Sequence, residues 1–147
     1  EEQRTRKRLL YTSTPYRGLK HLLGLFPAIR ARHPEAELHV FSGYQVYSGP
    51  QGYDRAAEQE FDALSRKLAA LPGCVVHGNK RQSELAREFM RSAILVYPNV
   101  FEETSCISVL EAFAGGCAVV TSRRGALPET VGDLGALIDG EPGTPAY

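Results

Sequence analysis

The sequence predicts an α/β fold, a doubly wound parallel sheet of about six strands with helices on both faces. Two observations lead to this prediction. Short apolar runs alternate with helical patterns along the 147 residues, which is the order of elements in successive βαβ units. The runs are also apolar almost throughout, as expected for strands that are covered on both faces.

The first two strands are predicted at 9–13 (LLYTS) and 36–43 (AELHVFSG). Between them, apolar residues recur at three- and four-residue steps across 18–32, which indicates an amphipathic helix. Pro27 lies inside this pattern and is expected to kink the helix or to fall in an irregular last turn. A loop rich in glycine and tyrosine, 43–54, follows the second strand.

The middle of the chain repeats the alternation of helix and strand. A helical pattern over 55–73 leads to a short strand at 74–78 (CVVHG). The next helix is predicted over 83–92, opened by Ser83, and the next strand at 93–99 (AILVYPN). This order extends the parallel sheet.

The last third of the chain adds two more strands. Residues 108–116 (SVLEAFAGG) predict a helix that ends at glycine, the residue that helix C-caps prefer. A strand at 117–122 (CAVVTS), one or two helical turns at 127–132 and a strand at 135–139 complete the pattern. Ligands of such folds bind at the carboxyl ends of the strands, so the segments after the predicted strands are the expected place for a site.

Charge and hydropathy exclude some classes of partner. Basic and acidic residues number 17 each, so no basic field favours a nucleic acid. No apolar run is long enough for a membrane span, and EEQRTRKRLL lacks the apolar segment of a signal peptide. We expect a cytoplasmic protein, with the inner face of the membrane as an alternative for the full-length protein.

The three cysteines each lie in or beside an apolar run, without CxxC spacing: Cys74, Cys106 and Cys117. We interpret them as buried, reduced thiols. The four histidines are scattered along the sequence, and no acidic pair has metal-ligand spacing. Neither a metal nor another cofactor is therefore expected. The first strand also lacks a following G-x-G-x-x-G, which argues against a dinucleotide-dependent dehydrogenase.

The two ends of the chain predict its domain limits. Charged residues stop abruptly at Leu9, so 1–8 is interpreted as a linker or the end of a preceding domain, and 9–147 as one Rossmann-like domain. The final residues, GEPGTPAY, are turn-forming and follow a strand pattern with no closing helix. We therefore expect a fragment that lacks an amino-terminal domain.

Two glutamates flank the start of the helix predicted at 108–116. Glu103 falls in the loop before it, and Glu111 lies one or two turns inside it. Thr104 or Ser105 can cap this helix, whose N–H groups and dipole favour a phosphate or sugar oxygen. The carboxylate of Glu111 could accept two hydrogen bonds from a vicinal diol such as a ribose. Spacing alone also allows a capping carboxylate followed by a solvated surface glutamate.

The run from Glu103 to Glu111, then AFAGGCAVVTS and the loop GALPE at 125–129, resembles the retaining glycosyltransferases of family 4, which have the GT-B fold. That family carries Glu-x7-Glu, a helix end of small residues, a Val-Val strand and a Gly-Gly-x-Pro-Glu loop, in this order. A weaker likeness extends over the whole chain. The resemblance implies that 9–147 is the carboxyl-terminal half of such an enzyme, which binds the nucleotide-sugar donor.

The resemblance also implies a role for each matched residue. Glu103 would contact donor-sugar hydroxyls near the reacting carbon, and Glu111 would hold the ribose diol. Arg17 would stabilise the charge that builds on the diphosphate leaving group. The other implied donor-binding groups are the N–H groups of the helix start, Ser105, Cys106 and Ile107, and the turn that would line the base pocket, His77, Gly78, Asn79 and Lys80. From the residues alone, Arg17 could equally be a helix-start charge, His77 a packing residue and Lys80 a surface charge.

The chain departs from the family pattern where many members carry a second basic residue, near Thr12. Either the hydroxyls of Thr12, Ser13 and Thr14 help to hold the diphosphate, or the donor differs. Arg123 and Arg124 follow the strand at 117–122 and could supply the missing charge; we predict this role for Arg124.

Two further departures affect the sugar end of the site. Ala126 replaces the second glycine of the Gly-Gly-x-Pro-Glu loop, which would tighten that turn. Ser105 and Cys106 stand where the family commonly has Phe-Gly, which would alter the sugar preference.

The predicted function is transfer of a sugar from a nucleotide-diphosphate sugar to an acceptor, with retention of configuration. The missing domain would hold the acceptor, which is a glycan, a lipid or a small molecule, and peripheral membrane association through that domain is left open. The isolated domain is expected to bind the donor weakly and to catalyse little. The alternatives are a nucleotide-sugar epimerase of the same fold, a non-catalytic module that binds a nucleotide sugar or a protein, and an unrelated doubly wound domain.

Overall fold

A six-stranded, wholly parallel sheet lies at the centre of the computed structural model, which describes residues 3–43 and 55–147. The strands are β1 (Thr5–Thr12), β2 (Glu37–Phe41), β3 (Cys74–Val76), β4 (Ser92–Tyr97), β5 (Ala118–Ser122) and β6 (Ala136–Ile138). The helices are α1 (Leu22–Arg32), α2 (Arg55–Ala69), α3 (Gln82–Arg91), α4 (Ile107–Ala114) and α5 (Leu127–Val131). The predicted doubly wound α/β fold is confirmed. The loop predicted over 43–54 lies outside the described residues, apart from Gly43.

The strand order β3-β2-β1-β4-β5-β6 places the beginning of the chain in the middle of the sheet. From β1 the chain moves outward to β2 and β3, then returns to β4 on the other side of β1 and continues to β5 and β6. Since crossovers are right-handed, this reversal puts α1 and α2 on one face and the later helices on the other. The contacts agree, because α1 packs against α2, α3 against α4, and α4 against α5.

The burial of β1 shows that both faces of the sheet are covered. Leu9, Leu10, Tyr11 and Thr12 are consecutive, point alternately to the two faces, and are all buried. Their register with β4 pairs Leu9 with Ile94 and Leu10 with Leu95. A continuous apolar run is therefore the correct sequence signal for this central strand.

β1 begins four residues earlier than predicted, so that residues 5–8, predicted to be a linker, form its first half. The charged side chains here are held by other elements: Arg8 pairs with Glu88 of α3, and Arg4 donates to the carbonyls of Ser92 and Gly115. These partners are distant in the sequence, so local hydropathy could not reveal the strand.

Two helix starts also differ from the prediction. α1 begins at Leu22 because the preceding residues form two 3₁₀ turns, Pro15–Arg17 and Leu19–His21; Pro27 lies inside α1 rather than in its last turn. Ser83 does not open α3, which begins one residue earlier. There, the N–H of Arg81 donates to the carboxylate of Glu84 at 3.1 Å.

All three cysteines are buried and free, as predicted. Burial raises the pKa of the Cys74 thiol to about 11, which makes it a neutral packing group. Within the described ranges, no helix is both long enough and apolar enough to cross a membrane.

The central strands predict the effect of a core deletion. Leu95→Ala empties a position that is 0% exposed in β4, so we expect the free energy of unfolding to fall by about 2–5 kcal/mol. Leu134→Ala removes the same atoms from a side chain that is 73% exposed. This change should alter the free energy of unfolding by less than about 0.5 kcal/mol. Urea unfolding followed by circular dichroism gives both values; equal losses would contradict the assigned core.

Candidate functional site

The loops that follow β1 and β4 border a cavity of about 410 Å³ at the carboxyl edge of the sheet. This is the point where the strand order reverses direction, and where ligands of doubly wound folds bind. Residues predicted for the site line it from both loops: Thr12, Ser13, Thr14 and Arg17 from the first, and Glu103, Ser105, Cys106, Ile107 and Glu111 from the second and from α4. A cavity of about 430 Å³ between α1 and β4–β6 is mainly apolar and contains none of the predicted residues.

Glu103 is a buried carboxylate, with 5% of the residue exposed. Its Oε1 accepts hydrogen bonds from Arg17 Nη1 and from the Tyr97 hydroxyl, both at 2.5 Å. The Arg17 guanidinium also lies over the ring of Phe101, 4.6 Å from its centroid. An ionised group can be buried here because charge-assisted hydrogen bonds offset its desolvation.

The protonation states of the two donors suit this arrangement. Burial, together with the hydrogen bond to Glu103, raises the pKa of Tyr97 well above its usual value, so the hydroxyl keeps its proton. Burial alone would lower the pKa of Arg17, but the hydrogen bonds with Tyr97 and Glu103 outweigh it and raise that pKa. Glu103 is thus held between a permanent cation and a permanent hydroxyl donor.

Glu111 lies in a different environment. It is half-buried on α4, and its carboxylate accepts a hydrogen bond from the Gln82 amide at the start of α3. Both glutamates line the same cavity, one beneath the loop and one on the helix. The cavity therefore has two carboxylates in separate places, not an adjacent acid–base pair.

The amino end of α4 lies at the cavity, but its predicted caps are wrong. The helix begins at Ile107, and the N-cap position is occupied by Cys106 instead of Thr104 or Ser105. Cys106 is extended, and its carbonyl accepts the N–H groups of Val109 and Leu110. Burial raises the pKa of the Cys106 thiol, so it lines the cavity as a neutral group.

The loop after β5 holds the backbone of Glu103. The N–H of Ala126 donates to the Glu103 carbonyl at 2.7 Å. Gly125 has a φ of +54°, and a Cβ built there would lie 2.5 Å from the Glu103 nitrogen and 2.6 Å from its carbonyl oxygen. Glycine is required at 125 both by the left-handed backbone and by this close approach.

Gly18 makes a similar contact between the two cavity loops. Its φ is +111°, and a Cβ would overlap the carbonyl oxygen of Pro98. The backbone after β1 thus lies directly against the backbone after β4, which brings Arg17 to Glu103.

Four predicted residues are not among the described residues that line the cavity: His77, Gly78, Lys80 and Arg124. Lys80 lies 3.9 Å from a carboxylate oxygen of Glu84. Arg124 pairs with Glu141, lies 3.7 Å from Glu102, and donates to the Val100 carbonyl at 3.2 Å. Its guanidinium therefore ties loops together at this edge.

His77 belongs to an aromatic stack beside the cavity. Its ring lies parallel to that of Phe41, with centroids 4.4 Å apart, and its Nε2 is 2.9 Å from His39 Nδ1. Burial lowers the pKa of His77 and of His39. The sequence shows these histidines as scattered, but the parallel pairing of β2 with β3 makes them neighbours. Among the described residues, no group of three or more His, Cys, Asp or Glu could hold a metal ion.

Asn79, of the turn predicted to line the base pocket, is among the lining residues, whereas several others were not predicted as site residues: Phe41, Ser42, Gly43, Gln82 and Phe101. Phe41 to Gly43 lie at the end of β2, so the strand-end rule could have found them. Gln82 carries no such signal, because its position depends on how α3 packs beside α4.

Thr12 has a feature that suits a ligand site. It is buried, and its hydroxyl has no hydrogen-bond partner within the part of the chain that the structure describes. Buried hydroxyls are normally paired, so this one is a candidate to bind a group that enters the cavity.

A family model described as "Glycosyl transferases group 1" matches residues 6–146. The chain is 32% identical to D-inositol 3-phosphate glycosyltransferase of Corynebacterium kroppenstedtii, over 84% of this chain and 27% of that protein. It is 26% identical to lipopolysaccharide 1,2-N-acetylglucosaminetransferase of Salmonella typhimurium, over 85% of this chain and 32% of that protein. The chain thus spans about a third or less of the length of these relatives.

Solved structures show the same fold. Sucrose-phosphate synthase of Thermosynechococcus elongatus matches with a TM-score of 0.69 at 23% identity, over 95% of this chain and 33% of that chain. Anabaena HepE in complex with UDP-glucose matches with a TM-score of 0.69 at 16% identity, over 95% and 36%. Identities this low show the fold alone, and they agree with the predicted doubly wound parallel sheet.

The contact beneath Glu103 predicts a difference between two glycine substitutions. Gly78→Ala places a Cβ on a backbone with φ of +69° in open space, and should cost about 1–2 kcal/mol of unfolding free energy. Gly125→Ala has a similar φ but meets the Glu103 backbone, so we expect a further loss of about 1–3 kcal/mol. Urea unfolding of both variants measures the difference. Equal losses would show that the loop can move away from Glu103 at no cost.

Proposed function

This chain belongs to the group 1 glycosyl transferases, and from that premise we propose that it is the donor-binding domain of a retaining glycosyltransferase of family 4. The donor is a nucleotide-diphosphate sugar. An amino-terminal domain of the full-length protein binds the acceptor, and the reaction takes place in the cleft between the two domains.

The observation that carries this proposal is that Glu103 and Glu111 line one cavity together with Arg17 and the start of α4. The cavity offers a partner for three polar parts of the donor: the ribose, the diphosphate and the sugar. Glu111 accepts hydrogen bonds from the ribose diol. The helix start attracts the diphosphate, and Glu103 contacts hydroxyls of the sugar.

Arg17 is the residue that we assign to the leaving group. It lies between the first cavity loop and Glu103, so its charge is close to both the carboxylate and the space for a phosphate. A guanidinium carries five N–H donors, enough to hold a carboxylate and a phosphate oxygen together. The hydroxyls of Thr12, Ser13 and Thr14 supplement it where many relatives have a second cation.

The chemistry that we assign is the one implied by the resemblance to the retaining enzymes, in which the sugar leaves and the acceptor attacks on one face without a protein nucleophile. The bond between the anomeric carbon and the diphosphate oxygen breaks, and Arg17 stabilises the charge on that oxygen. The acceptor hydroxyl attacks the anomeric carbon on the same face, and its proton passes to the departing phosphate. The configuration of the sugar is thereby retained.

Donor binding can be measured without knowing the acceptor. A ligand that binds only the folded state raises the melting temperature, by an amount that grows with its concentration over its Kd. We expect UDP-glucose or GDP-mannose to stabilise the full-length protein, and glucose alone to have no effect. Saturation by neither nucleotide sugar would contradict the proposal. Analysis of the sugar recovered after incubation without acceptor would reveal an epimerase by its altered sugar.

The two glutamates should have separable effects on kinetics. Glu103→Gln should lower kcat by about 100-fold or more, since it removes charge next to the reacting sugar. Glu111→Gln should weaken donor binding by about 10–100-fold with a smaller effect on kcat, since it removes charge-assisted hydrogen bonds to the ribose.

The matched control is Glu102→Gln, an exposed carboxylate beside Glu103 whose partner Arg124 keeps Glu141 and the Val100 carbonyl. It should retain wild-type kinetics. The measurements are steady-state rates against donor concentration and isothermal titration with the nucleotide diphosphate. Wild-type kinetics and affinity in both Glu103→Gln and Glu111→Gln would contradict the proposal. The two residues would then be a capping carboxylate and a surface carboxylate.

A further inference from the structure

We propose that Tyr97 is a positioning residue for the transfer reaction, whose buried hydroxyl holds the Glu103 carboxylate in the orientation that contacts the donor sugar. This inference rests on the proposed function. It adds a residue that lies outside the Glu-x7-Glu motif and does not line the cavity itself.

Tyr97 is placed to act from beneath the site. It is the last residue of β4 and is only 1% exposed. Its ring packs in the core, 6.0 Å from the ring of Tyr11, at the border of the apolar cavity between α1 and β4–β6. The hydroxyl reaches Glu103 Oε1 at 2.5 Å, a distance typical of an O–H donor to a carboxylate.

Two donors converge on the same carboxylate oxygen, and they differ in their freedom. Arg17 approaches from the loop side with 24% of its side chain exposed, on a long side chain that faces the cavity. Tyr97 approaches from the rigid strand. When the diphosphate attracts the Arg17 guanidinium, Tyr97 still holds Oε1. The carboxylate therefore keeps its orientation while the cation serves the leaving group.

The backbone of Glu103 is held by the loop after β5. Its carbonyl accepts the N–H of Ala126 at 2.7 Å, and Gly125 lies against its peptide group. The remaining freedom is rotation of the side chain, which the Tyr97 hydroxyl restricts. Precise placement of this kind affects the rate far more than the affinity, because misplacement matters most at the reacting centre.

The test is Tyr97→Phe in the full-length enzyme, which removes the hydroxyl and keeps the ring. The assay is release of UDP from UDP-glucose, or of GDP from GDP-mannose, with water or the acceptor as the second substrate. Because the charge-assisted hydrogen bond to Glu103 is lost, together with the contact to Arg17, we expect kcat to fall about 10-fold or more. KM for the donor should stay within about twofold. The matched control is Tyr147→Phe, which loses a hydroxyl 3.2 Å from Ser122 Oγ, away from the cavity, and should keep the wild-type kcat.

A double-mutant cycle separates positioning from general support of the fold. If Tyr97 acts through Glu103, adding Tyr97→Phe to Glu103→Gln should lower kcat no further. A loss that multiplies fully in the double variant would overturn the inference, as would a wild-type kcat in Tyr97→Phe. A fall in active protein without a change in kcat, measured by nucleotide titration, would also overturn it. Absence of turnover and nucleotide binding in the wild type is a distinct result, which removes the proposed function and this inference together.

Discussion

The parallel pairing of β1 with β4 is the constraint on which the site depends. Parallel strands bring their carboxyl ends to the same edge, so the loops after these two strands begin side by side. The chain then leaves β1 toward β2 and leaves β4 toward β5, on opposite sides. The loops diverge, and the cavity lies between them. Neither loop could form it alone.

Within that cavity, the burial of Glu103 determines which groups must surround it. A buried carboxylate is stable only when charged or polar donors replace its lost hydration. Here Arg17 arrives from the loop after β1, Tyr97 from β4, and the backbone support of Ala126 from the loop after β5. Glu103 thus contacts three parts of the sheet edge, and the position of its side chain and backbone depends on all three. Glu111 is only half-buried, and it accepts a hydrogen bond from the neutral amide of Gln82.

This contrast suits two different tasks on one ligand. A group beside a reacting carbon benefits from being fixed before the substrate arrives, because no energy is then spent on reorganisation. A group that grips a ribose needs only to accept hydrogen bonds. This division of roles belongs to the proposed function of a chain in the group 1 glycosyl transferases. The chain spans 27% of the length of the D-inositol 3-phosphate glycosyltransferase that it resembles, and we propose that the acceptor binds elsewhere in the full-length protein.

The sequence by itself determined the alternation of strands and helices and the candidate glutamates, since apolar periodicity and motif spacing are local properties. The continuous apolar runs also indicated a parallel sheet, because the strands of such sheets are buried on both faces. Tertiary structure alone decided that Tyr97 holds Glu103, that His39 meets His77, and that Arg124 binds loop carboxylates outside the cavity lining. The tertiary structure also decided where β1 begins and which residue caps α4. The physical reason is the same in each case: a buried polar group is defined by its partners, and those partners come from strands and loops that are far apart in the chain.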